Sequence, residues 1–372
     1  MNTIDGFAEL PRRLVLPAAL LLVVLGGATA AAQDGKDPKA PKGPLVLKAQ
    51  GSFYVGGRTV QTDALTGDPT GGLFPPNQGS ITVDQMYVQF QIPEGGGHHL
   101  PVVMVHGGTL TGKTYETTPD GRMGWGEYFV RQHRPVYVVD QVSRARSGVD
   151  ATIFNEVKLG IRAPNEQPSV LRISHETGWT WFRLGPSFGT AFSDEQFPVE
   201  AFAEFGKQAV PDFNALLPAG NPSFNNLAAL ANRLGGAILL GHSQSAFFPE
   251  RAALIDPTNI KGMVTLETGF CPASFAPQEV AVLARIPIIV IFGDHLGDAA
   301  GTFAATWTTS LNNCRALVRL ISDAGGDATL VHLPGIGIFG NSHMMMQDKN
   351  NLQVADVILA WIDRHVEGKR GK

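Results

Sequence analysis

The sequence predicts an α/β architecture, a mostly parallel, doubly wound sheet with a helical cap inserted after the fourth strand. Three observations carry this expectation. Short apolar runs recur and end in glycine or polar residues: PVVMVHGG from Pro101, PVYVVDQ from Pro135, GAILLGHS from Gly236, GMVTLETG from Gly262, IPIIVIFGDH from Ile286 and ATLVHLPG from Ala328. Continuous apolar strands of this kind suit a parallel sheet covered on both faces. Stretches of helix length separate most of them, such as Ser245 to Ile255 and Asn312 to Ala324, and LQVADVILAWIDRHV places apolar residues at helical spacing near the end. One connection, from Asp140 to Ser243, is far longer than a single crossover helix requires.

Taken in chain order, Arg12-Arg13, the apolar stretch Leu14 to Leu25 and the small residues Gly26 to Ala32 read as a signal peptide over 1–32, cleaved after Ala30 or Ala32. The apolar stretch is shorter than the ~20 residues a spanning helix needs. A periplasmic or secreted protein follows, without stable membrane insertion after cleavage. Residues 33–44, QDGKDPKAPKGP, read as a flexible linker, and 45–370 as the folded domain. GSFYVGGR and ITVDQMYVQFQIP, separated by a Gly/Pro-rich connection, open the sheet as antiparallel strands. The cap is expected over about 150–225. Its aromatic residues Trp179, Trp181, Phe182, Phe192, Phe197, Phe202, Phe205 and Phe213 fill its own core or line a substrate pocket.

The composition narrows the partners. Of 372 residues, 44% are hydrophobic, enough for a large core plus an inserted subdomain. The net charge of -4 and the lack of a Lys/Arg cluster along the mature chain leave no electrostatic footprint for nucleic acid, so a small molecule is the expected partner. Cys271 and Cys314, an even pair in an exported chain, are expected to form a disulfide; two buried thiols are the alternative.

The chemistry starts at Gly241-His242-Ser243-Gln244-Ser245, directly after an apolar strand. Such a strand-to-helix turn projects a serine hydroxyl over the carboxyl edge of the sheet, provided small residues flank it. Gly241 fits, whereas Ser245 stands where the familiar pattern has glycine; a serine that merely caps the next helix is the competing reading. An elbow also requires an earlier strand whose exit loop supplies backbone donors for an oxyanion. His106-Gly107-Gly108 supplies it, with the N–H groups of Gly108 and Gln244 as the expected donors and His106 as a structural member of the loop.

A histidine should follow the last strand. His343, in the glycine-rich loop GIGIFGNSHMMMQD, fits better than His332 inside ATLVHLPG or His295 at the end of IPIIVIFGDH. For the acid, the commonest position after that strand is Leu296, and Asp294 is a candidate at another spacing. Glu267 is better placed, at the carboxyl end of GMVTLETG on the edge that carries the elbow. Phe247, Phe248, the cap aromatics and Met344 to Met346 are candidates for an apolar substrate pocket, with helix-start packing the alternative for the methionines. No metal or cofactor is required.

GPLVLKAQGSFYVGGR, TVDQMYVQFQIP, ETTPDGRMGW, GHSQS and GNSHMMMQDKNNLQVAD resemble a small group of bacterial α/β-hydrolase-fold serine esterases, over nearly the whole mature chain. The resemblance implies a triad of Ser243, Glu267 and His343, an exported carboxylesterase with a helical cap, and a homodimer as one arrangement. Members of that group carry an adjacent Cys-Cys pair in the oxyanion loop, where this chain has Gly108-Thr109. An amidase or polyester hydrolase with the same triad, and a non-catalytic exported binding protein on the same scaffold, are the alternatives.

Overall fold

β1 (Leu47–Thr62) and β2 (Gly79–Pro93) pair antiparallel over nearly their whole lengths, as two runs rich in β-formers predict. β2 then pairs antiparallel with β4 (Val136–Asp140), and from β4 onward every pairing is parallel. With β3 (Val102–Val105), β5 (Ala237–His242), β6 (Ile260–Leu266), β7 (Ile288–Phe292) and β8 (Ala328–His332), the order is β1-β2-β4-β3-β5-β6-β7-β8. This eight-stranded, mostly parallel sheet flanked by helices is the doubly wound α/β architecture expected from the apolar runs. The computed structural model describes residues 41 and 43–368, apart from 96–97, 218–219, 273 and 299–303. The expected signal peptide, and all of the expected linker but 41 and 43–44, lie outside the described residues. No helix among the described residues is long and apolar enough to cross a membrane.

The two-residue strand period sorts the core onto both faces. Val102, Met104, Ile238, Leu240, Val264 and Leu266 face one core, which includes Trp125 and Phe129 of α1 (Trp125–Arg131) and Leu352, Ala355 and Ile358 of α9 (Asn351–Trp361). Val103, Val105, Leu239, Met263 and Val290 face the other, packed on α5 (Pro222–Arg233), α6 (Phe248–Ile255), α7 (Pro277–Leu283) and α8 (Ala304–Asp323). Burial on both sides is why these strands read as unbroken apolar runs rather than as alternating ones.

Two helices differ from expectation. α8 begins at Ala304, several residues before the expected Asn312, so Cys314 lies within it rather than at its start. Trp307, Leu311 and Cys314 are buried at helical spacing, and that burial overrides the weak helix propensity of the Thr-rich stretch. The final helix is α-helical only to Trp361 and continues as a π turn over Ile362–Glu367.

The β4–α5 connection contains α2 (Thr152–Lys158), α3 (His175–Trp181) and α4 (Phe202–Lys207), each two turns or less, joined by irregular segments and short 3₁₀ turns. It is less helical than the sequence suggested. Aromatic packing holds it instead: Trp179, Phe197, Phe202 and Phe205 are buried and meet edge-on, with Phe202 against Trp179 at 5.1 Å and Phe197 against Phe205 at 5.2 Å.

Candidate active site

The turn after β5 explains its own sequence. A Cβ at Gly241 would lie 2.1 Å from the carbonyl oxygen of Ser245, so only glycine allows the chain to fold back this sharply. Ser243 takes φ 57°, a left-handed conformation unfavourable for a non-glycine residue and held here by its surroundings. Ser245, which breaks the familiar pattern, is fully buried; its hydroxyl donates to the Val105 carbonyl (2.9 Å) and accepts the His242 N–H (3.1 Å). The serine thereby ties the elbow to the end of β3, which glycine cannot do.

His343 is brought against Ser243 from the loop after β8. Its Nε2 lies 2.8 Å from Ser243 Oγ and its Nδ1 3.1 Å from Glu267 Oε2. With Nδ1–H donating to the carboxylate, Nε2 is free to accept the serine hydroxyl. Phe182 stacks on the His343 ring at 5.4 Å and Trp307 approaches it at 4.6 Å. Burial in this apolar slot lowers the His343 pKa below its ordinary 6.5 and Arg183 adds to the lowering, while Glu267 opposes it.

The long motif around His343 is a knot of hydrogen bonds. The buried Asp348 carboxylate accepts from Asn341 Nδ2 (2.9 Å), Ser342 N–H (2.9 Å) and Ser342 Oγ (2.6 Å), fixing both residues before the histidine. Arg122, from the motif ETTPDGRMGW, donates to the carbonyls of Gln347 (3.0 Å) and Asp348 (2.9 Å), so two distant sequence motifs meet here. The knot turns Met344, Met345 and Met346 into the core shared with α9, where all three are fully buried. This corrects the expectation that Met344 faces substrate. Phe248 is likewise in the core beneath the elbow, whereas Phe247 lines the cavity.

Glu267 is fully buried at the end of β6, with φ 52°. Burial alone would raise its pKa; the Arg183 charge, the His343 bond and the Gly293 N–H outweigh it and bring the carboxyl down to about 2. Arg183 Nη2 meets Glu267 Oε1 at 2.7 Å, both side chains without solvent exposure. Asp294, the other candidate acid, is engaged elsewhere: it accepts from His295 N–H (2.7 Å) and Gly340 N–H (3.0 Å), and its carbonyl takes Arg183 Nε–H at 2.8 Å. His295 is held between Asp194 (2.9 Å) and Asp298 (3.1 Å), and His332 ends the edge strand β8, only partly buried.

The glycine loop after β3 crosses the elbow so closely that a Cβ at Gly107 would lie 2.9 Å from Ser243 Cβ. Gln141 N–H donates to His106 Nε2 (3.1 Å), which leaves the ring proton on Nδ1 to donate to the Gly107 carbonyl at 2.8 Å. Burial and the nearby Arg144 bring the His106 pKa down to about 4, so this tautomer is kept at neutral pH. His242, brought down to about 3 chiefly by burial, donates through Nε2 to the His343 carbonyl at 2.8 Å.

Ser243, Gln244, Gly108 and His343 open onto a cavity of about 330 Å³. Leu171, Ile173 and Trp181 of the β4–α5 connection form one wall, and Phe247, Phe270 and Trp307 another. The Cys271–Cys314 disulfide is formed, linking the Phe270 loop to the helix that carries Trp307. Arg183, Phe182 and Trp307 were not singled out from sequence for these places; the available signal for Arg183 was a lone charge inside the aromatic run WTWFRL, which must find a counter-charge if buried.

The chain is 46% identical to a protein described in "The Atomic Resolution Structure of a Novel Bacterial Esterase"; the match covers 88% of this chain and 99% of that one, with a TM-score of 0.82. The chain belongs to the esterase/lipase-like α/β-hydrolase family. It is a carboxylic ester hydrolase. A more distant relative of this esterase is "Probable secreted lipase phiG" of a fungal species, 26% identical over 329 residues, covering 75% of this chain and 86% of that protein. No family model matches the sequence.

Proposed function

We propose that Ser243, His343 and Glu267 are the catalytic triad of this esterase, and that it acts through an acyl-enzyme on neutral, apolar esters of small to medium size. The observation that carries this reading is the His343 ring, bonded through Nε2 to Ser243 Oγ and through Nδ1 to the Glu267 carboxylate. His343 takes the hydroxyl proton as Ser243 Oγ attacks the ester carbonyl, and Glu267 steadies the imidazolium. His343 then passes the proton to the leaving alcohol, and water attacks the acyl-enzyme by the same route in reverse roles.

The oxyanion donors in this reading are the N–H groups of Gly108 and Gln244. His106 holds the Gly107 carbonyl, and a trans peptide turns the next N–H, that of Gly108, to the opposite side. The substrate class is supported by the lining, which among the described residues carries no acid or base other than His343 and is dominated by aromatic and aliphatic side chains. The β4–α5 connection serves as the cap over this cavity. Export is supported by the Arg12-Arg13 and Leu14–Leu25 pattern, by the disulfide, and by the name of the secreted fungal relative.

The test compares short- and medium-chain p-nitrophenyl esters with matched anilides and a polyester film, using the wild type and Ser243→Ala. Saturable ester turnover that S243A loses, with slow anilide and film hydrolysis, is expected. Undiminished ester turnover by S243A would overturn the assignment of Ser243, and faster anilide or film hydrolysis would overturn the substrate class.

A further inference from the structure

We infer that Asp212, in the β4–α5 connection, is a positioning residue for the oxyanion hole, an inference that rests on the roles given above to Gly108 and Gln244. Its buried carboxylate binds both donor-bearing segments at once. Oδ2 accepts from Thr109 N–H at 3.2 Å and from Gln244 Nε2 at 2.9 Å. Oδ1 accepts from Asn214 N–H at 2.9 Å and pairs with Arg144 Nη2 at 2.5 Å. Arg144, equally buried, also reaches Gln244 Oε1 at 3.4 Å and the Leu110 carbonyl at 3.5 Å.

Gly108 lies directly on this network. A Cβ there would stand 3.4 Å from the Gln244 amide and 3.5 Å from Asp212 Oδ2. The next residue, Thr109, holds φ 56°, a left-handed conformation that a β-branched side chain strongly disfavours. The β4–α5 connection restrains it on both sides: its N–H is bound by Asp212, and its carbonyl accepts Val210 N–H at 2.7 Å. Asp212 is itself anchored by reciprocal backbone bonds with Leu171, which lines the cavity. Without the carboxylate, the Thr109 N–H and the Gln244 side chain lose the anchor they share, and the aim of the Gly108 and Gln244 N–H groups is held less firmly. Donors of this kind act because they are already aimed before charge develops, and a displacement of ~1 Å can cost ~100-fold in rate.

The test uses the purified protein with Asp212→Asn, Asp212→Glu and Gln244→Leu. Asp212→Asn is expected to lower kcat about 10–100-fold with KM within about twofold. Its affinity for a trifluoromethyl ketone that forms an oxyanion on Ser243 should fall by the same factor as kcat/KM. Asp212→Glu should recover part of the loss, and Gln244→Leu, which keeps the backbone N–H, should show a smaller loss with the same kcat signature. The inference is overturned if these variants keep wild-type kcat and ketone affinity, whether or not their melting temperature falls. It is equally overturned if the loss is in KM alone. Fluorophosphonate labelling of the wild type separates the two readings: labelling at Ser243 with unaffected variants sinks only the role of Asp212, whereas a wild type that is not labelled at Ser243 sinks the triad beneath it.

Discussion

The carboxyl ends of the parallel strands and the β4–α5 connection supply different things to one cavity. The strand ends and their exit loops carry the groups proposed to react, Ser243 after β5, Glu267 after β6 and His343 after β8. The connection carries charges that stand behind them: Arg183 behind Glu267, and Asp212 behind the Gly108 and Gln244 amides. The first region fixes its residues by backbone geometry, with left-handed conformations at Ser243 and Glu267. The second fixes them by buried ion pairs, Arg183 with Glu267 and Asp212 with Arg144. A lid that only excluded water would need neither pair. Buried pairs are costly to break from one side, because the remaining charge is left unpaired.

Substitutions on the two sides should therefore differ in kind as well as size. Ser243→Ala is expected to cost about 10⁴–10⁶-fold in kcat with little change in melting temperature, since it removes the proposed nucleophile and no packing. Glu267→Gln should cost about 10³–10⁴-fold; Asp294→Asn, which perturbs only loop contacts, should cost less than about tenfold, and steady-state kinetics of the pair checks the choice of acid.

On the connection side, Arg183→Met should lower kcat about 10–100-fold and also destabilise the fold by about 3–5 kcal/mol, because Glu267 is left buried without its counter-charge. Its pH profile gives a sharper readout. The His343 pKa is depressed, and in the proposed triad its neutral form is the base, so wild-type kcat/KM should rise with pH along an acid limb centred below 6.5. Arg183 contributes to that depression, so its loss should move the limb to higher pH. The smallest effects are expected at the walls: Phe270→Ala should change the preference among ester chain lengths about 3–30-fold, as loss of apolar contact does, whereas Met344→Leu, inside the core, should leave that preference unchanged.

The contrast also explains what was legible in the sequence. A nucleophile elbow forces Gly241, and its Ser245 could be read as tolerated though not as bonded to β3. A carboxylate ending an apolar strand drew attention to Glu267 because a charge there needs a reason. Asp212 has no such local signature, and the lone charge of Arg183 within WTWFRL asks for a counter-charge without naming it. They lie in a connection of short helices without clear periodicity, and their partners are 84 residues away for Arg183 and 103 for the Asp212–Thr109 bond. For Met344 the sequence leaves a pocket position and helix-start packing both open; Asp348 fixes Ser342 just before His343, and Met344 packs in the core with α9.

The most direct test of the triad is a peptide map of the protein after inactivation with a fluorophosphonate. One adduct per chain, on Ser243, formed in step with the loss of ester hydrolysis and absent from Glu267→Gln on the same timescale, is the predicted result. An adduct on another residue, or hydrolysis that persists with Ser243 fully modified, would contradict it.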